Sequence, residues 1–276
     1  MAQARILDFD GSVAPLEGAA TICLRDREES VRFSCSIGTL NGLPSFPAAG
    51  LTFLGSGDFH HVTYGLLKRL QRPVQLVVFD NHPDNMRYPF GIHCGSWVAH
   101  AARLPFITRI YVAGIHSGDV ERAHVLENHL GFLRSGKVSY WCVRRDLRML
   151  RRFGVRTSRS FDSTAALVDA LSSDIPREPV YLSIDKDVLA PDVVHTNWDQ
   201  GVMRFEELES AIACMRDLIV AADVVGDVSA YRYRNPFKRL LSAFDRQPEI
   251  DADSVVAWQA EHRKLNARLL TLLGPR

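Results

Sequence analysis

The sequence has little of what marks a secreted, membrane-bound or nucleic-acid-binding chain. Its five cysteines are odd in number and scattered at Cys23, Cys35, Cys94, Cys142 and Cys214, with no C-x-x-C pair. That excludes a disulfide framework and fits free thiols in a reducing compartment. No apolar h-region follows the opening MAQARILDFDGS, so no secretory signal is expected, and no stretch is long and apolar enough to span a bilayer. An excess of charge is missing too. The formal net charge is +1, which gives no general pull toward nucleic acid or anionic membrane. The densest basic run, Arg144, Arg145, Arg148, Arg151 and Arg152, reads as a solvated face beside a strand end. There is no internal repeat, low-complexity tract or obvious linker. These absences lead to the expectation of a cytoplasmic protein, one domain over residues 1–276, with no nucleic-acid or membrane partner.

What is present is a series of short β-rich runs: Ala4–Phe9, Val31–Ile37, Leu51–Leu54, Val74–Phe79, Arg109–Ile115, Lys137–Val143, Val180–Ile184 and Val224–Val228. Several are continuously apolar, the pattern of strands covered on both faces. Helix-like stretches lie between them at His61–Gln71, Ser96–Arg103, Val120–Leu133, Thr164–Leu171 and Phe205–Ala222. Phe205, Leu208, Ile212, Met215 and Ile219 lay an apolar stripe along the last of these. A final helix carries Val255, Trp258, His262, Leu265, Leu269 and Leu272, which predicts packing on the sheet or a seam with another subunit. Arg232–Pro248 has no periodicity and reads as a surface loop. Alternating strands and helices imply an α/β fold: a mainly parallel central sheet with helices on both sides, a three-layer α/β/α sandwich.

Three polar segments sit where an apolar strand runs out: Gly55-Ser56-Gly57-Asp58-Phe59-His60-His61, Asp80-Asn81-His82-Pro83-Asp84 and Ser183-Ile184-Asp185-Lys186-Asp187. In an open parallel sheet these ends share one edge, where ligands bind. Extended backbone would turn Asp80, His82 and Asp84 the same way, and likewise Asp185 and Asp187. Four carboxylates brought together repel, each pair by about 4 kcal/mol at ~4 Å and an effective dielectric of 20. Two divalent cations would balance them, and one or two imidazoles would complete the shells. Oxygen-rich shells with a little imidazole suit Mn²⁺ better than a structural zinc, which favours thiolates. Taken singly, each segment reads equally as a polar turn or cap; the joint pattern is what points to metal.

These residues, in this order, resemble the arginase and agmatinase (ureohydrolase) family, with its G-G-D-H, D-A-H-x-D and S-x-D-x-D motifs, over Leu51 to Val228. The resemblance implies a divergent member with an arginase-like α/β/α fold and two Mn²⁺ per chain. It makes Asp80, His82, Asp84, Asp185 and Asp187 metal ligands. The first histidine is either His60 or His61; His61-Val62-Thr63 fits the motif's continuation, which favours His60. His93, in Gly91-Ile92-His93-Cys94-Gly95, stands for the family's proton-handling histidine, although His-Gly has become His-Cys-Gly. The implied reaction is hydrolysis of a C–N bond in a small linear guanidino, amidino or amide compound. Asp84 would orient the attacking oxygen and His93 would pass a proton to the leaving amine. A small-molecule substrate and a homo-oligomer are the implied partners.

The chain also departs from the family. Ala190-Pro191 stands where Asp-Pro is usual, and the G-T-x-x-P-G-G stretch is reduced to Thr196-Asn197-Trp198-Asp199-Gln200-Gly201. The carboxylate that grips a guanidinium three residues beyond Asp227 is replaced by Ala230, leaving a buried guanidinium poorly compensated; Asp199 is a candidate replacement. The rival readings are a metal-binding relative whose catalysis has lapsed, a single-zinc deacetylase-like amidohydrolase, and a haloacid-dehalogenase-type phosphatase built on Asp8-Phe9-Asp10-Gly11-Ser12.

Overall fold

Continuously apolar strands need cover on both faces, and that is what this chain builds. The computed structural model describes residues 3–47, 49–244 and 250–274, Phe244 by its backbone alone. The strands are β1 (Ala4–Asp8), β2 (Ala19–Cys23), β3 (Ser34–Cys35), β4 (Gly50–Phe53), β5 (Val74–Phe79), β6 (Ile92–His93), β7 (Ile107–Ile115), β8 (Val138–Val143), β9 (Arg159–Phe161), β10 (Val180–Asp185) and β11 (Ile219–Val225). Nine form one all-parallel sheet in the order β2-β1-β4-β11-β10-β5-β7-β8-β9. β3 and β6 pair separately, antiparallel.

Side chains alternate between two cores. On β5, Leu76 and Val78 face one and Val77 and Phe79 the other; on β8, Tyr140 and Cys142 separate in the same way from Trp141 and Val143. The first core is closed by the helices Val62–Lys68 and Trp97–Ala101. The second is closed by Thr164–Asp174, Phe205–Met215 and the end of Ala252–Leu273. This is the three-layer α/β/α arrangement expected from the sequence. The last helix packs through Leu265 and Leu269, while Trp258 stacks on His195 at 4.6 Å. All five cysteines are free, and among the described residues no helix is long and apolar enough to cross a membrane. The basic run is mostly exposed, with Arg148 paired to its neighbour Asp146.

Several boundaries differ from expectation. The helix from Phe205 stops at Met215, and Ile219, read as the end of its stripe, opens β11, so that strand covers Ile219–Val225 rather than Val224–Val228. Val31–Ile37 is not a strand. A helix ends at Val31, Phe33 takes a left-handed φ of 69°, only Ser34–Cys35 pairs, and a new helix begins at Ile37. Val120–Leu133 breaks into 3-10 turns and a short helix, Leu130–Arg134. Arg232–Pro248 is not a plain loop: it holds the helix Pro236–Phe244, while residues 245–248 lie outside the described residues. Pro236 opens that helix, and Asn235 Oδ1 accepts from the Phe237 N–H at 2.9 Å, a start for which proline and asparagine are suited. β2 and β9, the short outer strands, were not foreseen.

Candidate metal centre

The carboxyl ends of β4, β10 and β5 open on one edge of the sheet, and the polar segments beyond them meet there. After β4, Ser56 caps the turn Gly57–Phe59 by accepting from the Asp58 N–H. The turn delivers His60, whose Nδ1 lies 3.0 Å from Asp84 Oδ2 and 3.3 Å from both Asp80 Oδ2 and Asp185 Oδ2. The other ring nitrogen, Nε2, lies 3.0 Å from Ser183 Oγ. That hydroxyl donates to Asp223, as do Tyr181 and Thr63. Nε2–H is therefore the donor to Ser183, and Nδ1 is the nitrogen turned to the carboxylates.

Beyond β5 the backbone is not extended, contrary to the spacing argument. Asp80 Oδ1 accepts from the His82 N–H at 2.6 Å, and Asp84 sits in the left-handed region at φ 45°. That turn still brings Asp84 onto His60, and the Trp97 indole N–H fixes it at 2.7 Å. His82 Nδ1 lies 2.9 Å from Asp187 Oδ2 and 3.6 Å from Asp80 Oδ1. Asp187 is not in a strand either. Asp185 ends β10, and its side chain caps the 3-10 turn Lys186–Val188 by accepting from the Asp187 N–H. Two sets of mutually close ligand atoms result, His60/Asp80/Asp84 and Asp80/His82/Asp187, with Asp80 common to both. His61 is buried outside the cluster and belongs to neither set.

Charge is crowded here. Burial pushes the Asp84 carboxyl up to about 7, reinforced by Asp80. Burial, Asp185 and Asp80 raise Asp187. Burial also opposes ionisation of Asp80, but the imidazoles of His60 and His82 beside it outweigh burial and hold that carboxyl below its usual range. His60 and His82 are raised against burial by the carboxylates around them. Asp80 Oδ2 is nevertheless buried and lacks a hydrogen bond among the described residues, His60 Nδ1 standing 3.3 Å off. A buried anionic oxygen without a partner fits an inner-sphere cation.

His93 closes the wall of the same cavity, whose volume is about 630 Å³. Its Nδ1 accepts from the Gly95 N–H at 2.9 Å, and its ring meets Phe33 edge-on at 4.2 Å. Burial, helped by Lys238, lowers it to about 3, so the imidazole is neutral at ordinary pH. Outside the cluster the cavity carries Asp119, His124, Glu127, Trp198 and Asp199, and among the described residues no Lys or Arg lines it. Ala230 is exposed, and its neighbours Ser229 and Tyr231 engage the chain's own Arg32. Asp8 is taken up by Arg25, and Asp10 by Arg32 and Ser12; neither lines the cavity.

The cluster is braced from behind. Lys186, between the two aspartates, is fully buried and reaches Asp227 at 2.5 Å, Asn266 Oδ1 at 3.0 Å and His262 Nδ1 at 3.1 Å. Gly226 (φ 96°) is needed at the end of β11, because a Cβ there would stand 2.5 Å from Asp185 Oδ1. Sequence reasoning missed Trp97, Asp223 and Asn81. Asn81 lay inside a motif already singled out, and Asp223 was a lone acid in an apolar run, the signal that could have found it.

Comparison with known proteins agrees with this picture. The model of the arginase family matches residues 48–231. An uncharacterized protein from Thermotoga maritima is 30% identical over 230 residues, which cover 80% of this chain and 78% of that protein. Among solved structures, an agmatinase candidate from Clostridium difficile shares the fold at TM-score 0.50 and 15% identity, covering 81% of this chain and 67% of its own. Proclavaminate amidino hydrolase from Streptomyces clavuligerus aligns at TM-score 0.46 and 20% identity over 78% of this chain, which spans 65% of that protein. With the family match running through all three polar segments, from the strand before His60 to the residues beyond Asp227, the chain belongs to the arginase family.

Proposed function

We propose that the protein is a binuclear, Mn²⁺-dependent hydrolase of C–N bonds in a small linear guanidino, amidino or amide compound. The observation that carries this is the inward turn of both Nδ1 atoms, of His60 and His82, onto four aspartates that share Asp80. His60, Asp80, Asp84 and Asp185 would hold one ion, and Asp80, His82, Asp185 and Asp187 the other. A mixed oxygen and imidazole set of this kind suits Mn²⁺. Such a pair of ions supplies Lewis acidity, ionising water near neutral pH and polarising a C=N or C=O group.

The chain's own residues do the rest. Asp84, anchored by Trp97, orients the attacking oxygen. His93, on the cavity wall, takes up the proton that the attacking water loses and passes it to the departing nitrogen. Two divalent charges offset the four clustered aspartates, whereas Asp119 and Glu127 line the cavity, where no Lys or Arg stands among the described lining residues. They favour a substrate with a cationic end. Ala230 offers no carboxylate, so the substrate differs from arginase's.

The test is to count bound metal in the Mn²⁺-loaded protein, then to screen linear guanidino, amidine and amide compounds for release of urea, ammonia or an amine. Two ions per chain with turnover of one such compound is the expected result, and Asp84→Ala and Asp185→Ala each lower the metal count. Wild-type metal content in both variants would refute the site. A single zinc would point instead to deacetylase-like chemistry, and two ions without turnover to a lapsed enzyme.

A further inference from the structure

The two imidazoles of the cluster are alike on their inner side and different on their outer side. His60 Nε2 meets a neutral hydroxyl, Ser183, whereas His82 Nε2 meets a carboxylate, Asp199 Oδ1, at 2.7 Å. We infer that Asp199, clamped by Asn81, is a positioning residue that orients His82 and strengthens its hold on one ion of the pair, an inference that rests on the two-metal reading above.

A carboxylate accepting the Nε2–H fixes the tautomer that leaves the Nδ1 lone pair facing Asp187 and Asp80. It also makes the imidazole a stronger donor to a metal than a hydroxyl partner does. The Asp199 side chain is 69% exposed and the His82 side chain 18%. Left alone, such a carboxylate would sample many rotamers and orient nothing. Asn81 removes that freedom. Its Nδ2 donates to the Asp199 carbonyl at 2.9 Å and to Oδ2 at 3.2 Å, which leaves Oδ1 for His82. Asn81 is itself fixed at both ends: its Oδ1 accepts from the His116 N–H at 3.1 Å, and its own N–H donates to Asp187 Oδ1 at 3.0 Å. Trp198 holds the segment down from the other side. It lies so close to Gly57 that a Cβ there would stand 2.9 Å from the indole, and its ring meets His82 edge-on at 6.2 Å. One residue, Asn81, thus ties the end of β5, the loop after β7 and the Asp199 segment to Asp187 and, through Asp199, to His82, whereas His60 Nε2 rests on the Ser183 hydroxyl.

The competing role for Asp199 is to receive a cationic substrate, and it predicts no change in metal affinity. The test is stepwise titration of Mn²⁺ into metal-free protein, followed by calorimetry and by the electron paramagnetic resonance signal of free Mn²⁺. The wild type, Asp199→Ala, the isosteric Asp199→Asn, Asp199→Glu, Asn81→Ala and Ser183→Ala are compared. The expected result is two binding steps in the wild type, one of them weakened about 10–100-fold in Asp199→Ala and Asp199→Asn. Asp199→Glu restores that step, Asn81→Ala weakens it, and Ser183→Ala acts on the other. Unchanged steps in both Asp199→Ala and Asp199→Asn, or equal weakening of the two steps, would overturn the inference while leaving the two-metal reading intact. A wild type that takes up no second ion would overturn that reading and the inference with it.

Discussion

Replacing Lys186 by methionine tests whether the cluster depends on its buried brace. The Lys186 and Asp227 side chains are both 0% exposed, so solvent does not screen the pair. Lys186 also serves His262 Nδ1 and Asn266 Oδ1. Methionine keeps the volume and removes the charge, leaving Asp227 buried without a cation. Breaking a buried pair from one side costs about 3–5 kcal/mol. At about 2 °C per kcal/mol for a chain of this size, the midpoint of thermal unfolding should fall by about 6–10 °C. The assay is urea and thermal unfolding in the presence of a chelator, so that lost ion binding does not add to the effect. Lys186→Met with Asp227→Asn removes both charges and keeps an acceptor for the Asn266 amide, which now donates to Asp227 Oδ1 at 2.8 Å. The double variant should regain most of the loss. A single variant losing less than about 1 kcal/mol, the range of exposed pairs, or a double variant less stable than the single one, would refute the reasoning.

Ion uptake should release protons. With His60 and His82 held above their ordinary values and Asp84 near 7, the metal-free site keeps protons around neutral pH that an ion must displace, so affinity should rise as pH climbs through about 7. Calorimetry in buffers of different ionisation enthalpy measures this, and uptake without proton release contradicts it. His60→Ala should abolish one binding step, whereas His61→Leu should keep both, because the His61 ring is buried outside the cluster. Metal lost from His61→Leu but kept by His60→Ala would reverse the assignment.

The meeting of the three polar segments was legible because strand ends in a parallel sheet share an edge, and continuous apolar runs such as VQLVVF and VYLSI mark those strands plainly. The route by which Asp84 and Asp187 arrive was not. A left-handed residue and a 3-10 turn replace the extended backbone that the i, i+2, i+4 spacing suggests, and nothing in the spacing distinguishes them. Ile219 misled because one residue can complete a helical stripe and begin a buried strand. The outer parts of the site, Asn81 with Asp199 and Trp97 with Asp84, depend on contacts between residues that no local pattern links.

The grip of Lys186 on His262 and Asn266 reaches 76 and 80 positions down the chain. During synthesis, the peptide bearing Asp185 and Asp187 leaves the ribosome well before the helix that steadies it. Maturation of the centre therefore belongs to the finished polypeptide, and a nascent fragment ending short of His262 would present its aspartates to the surrounding solution without the scaffold that sets their spacing.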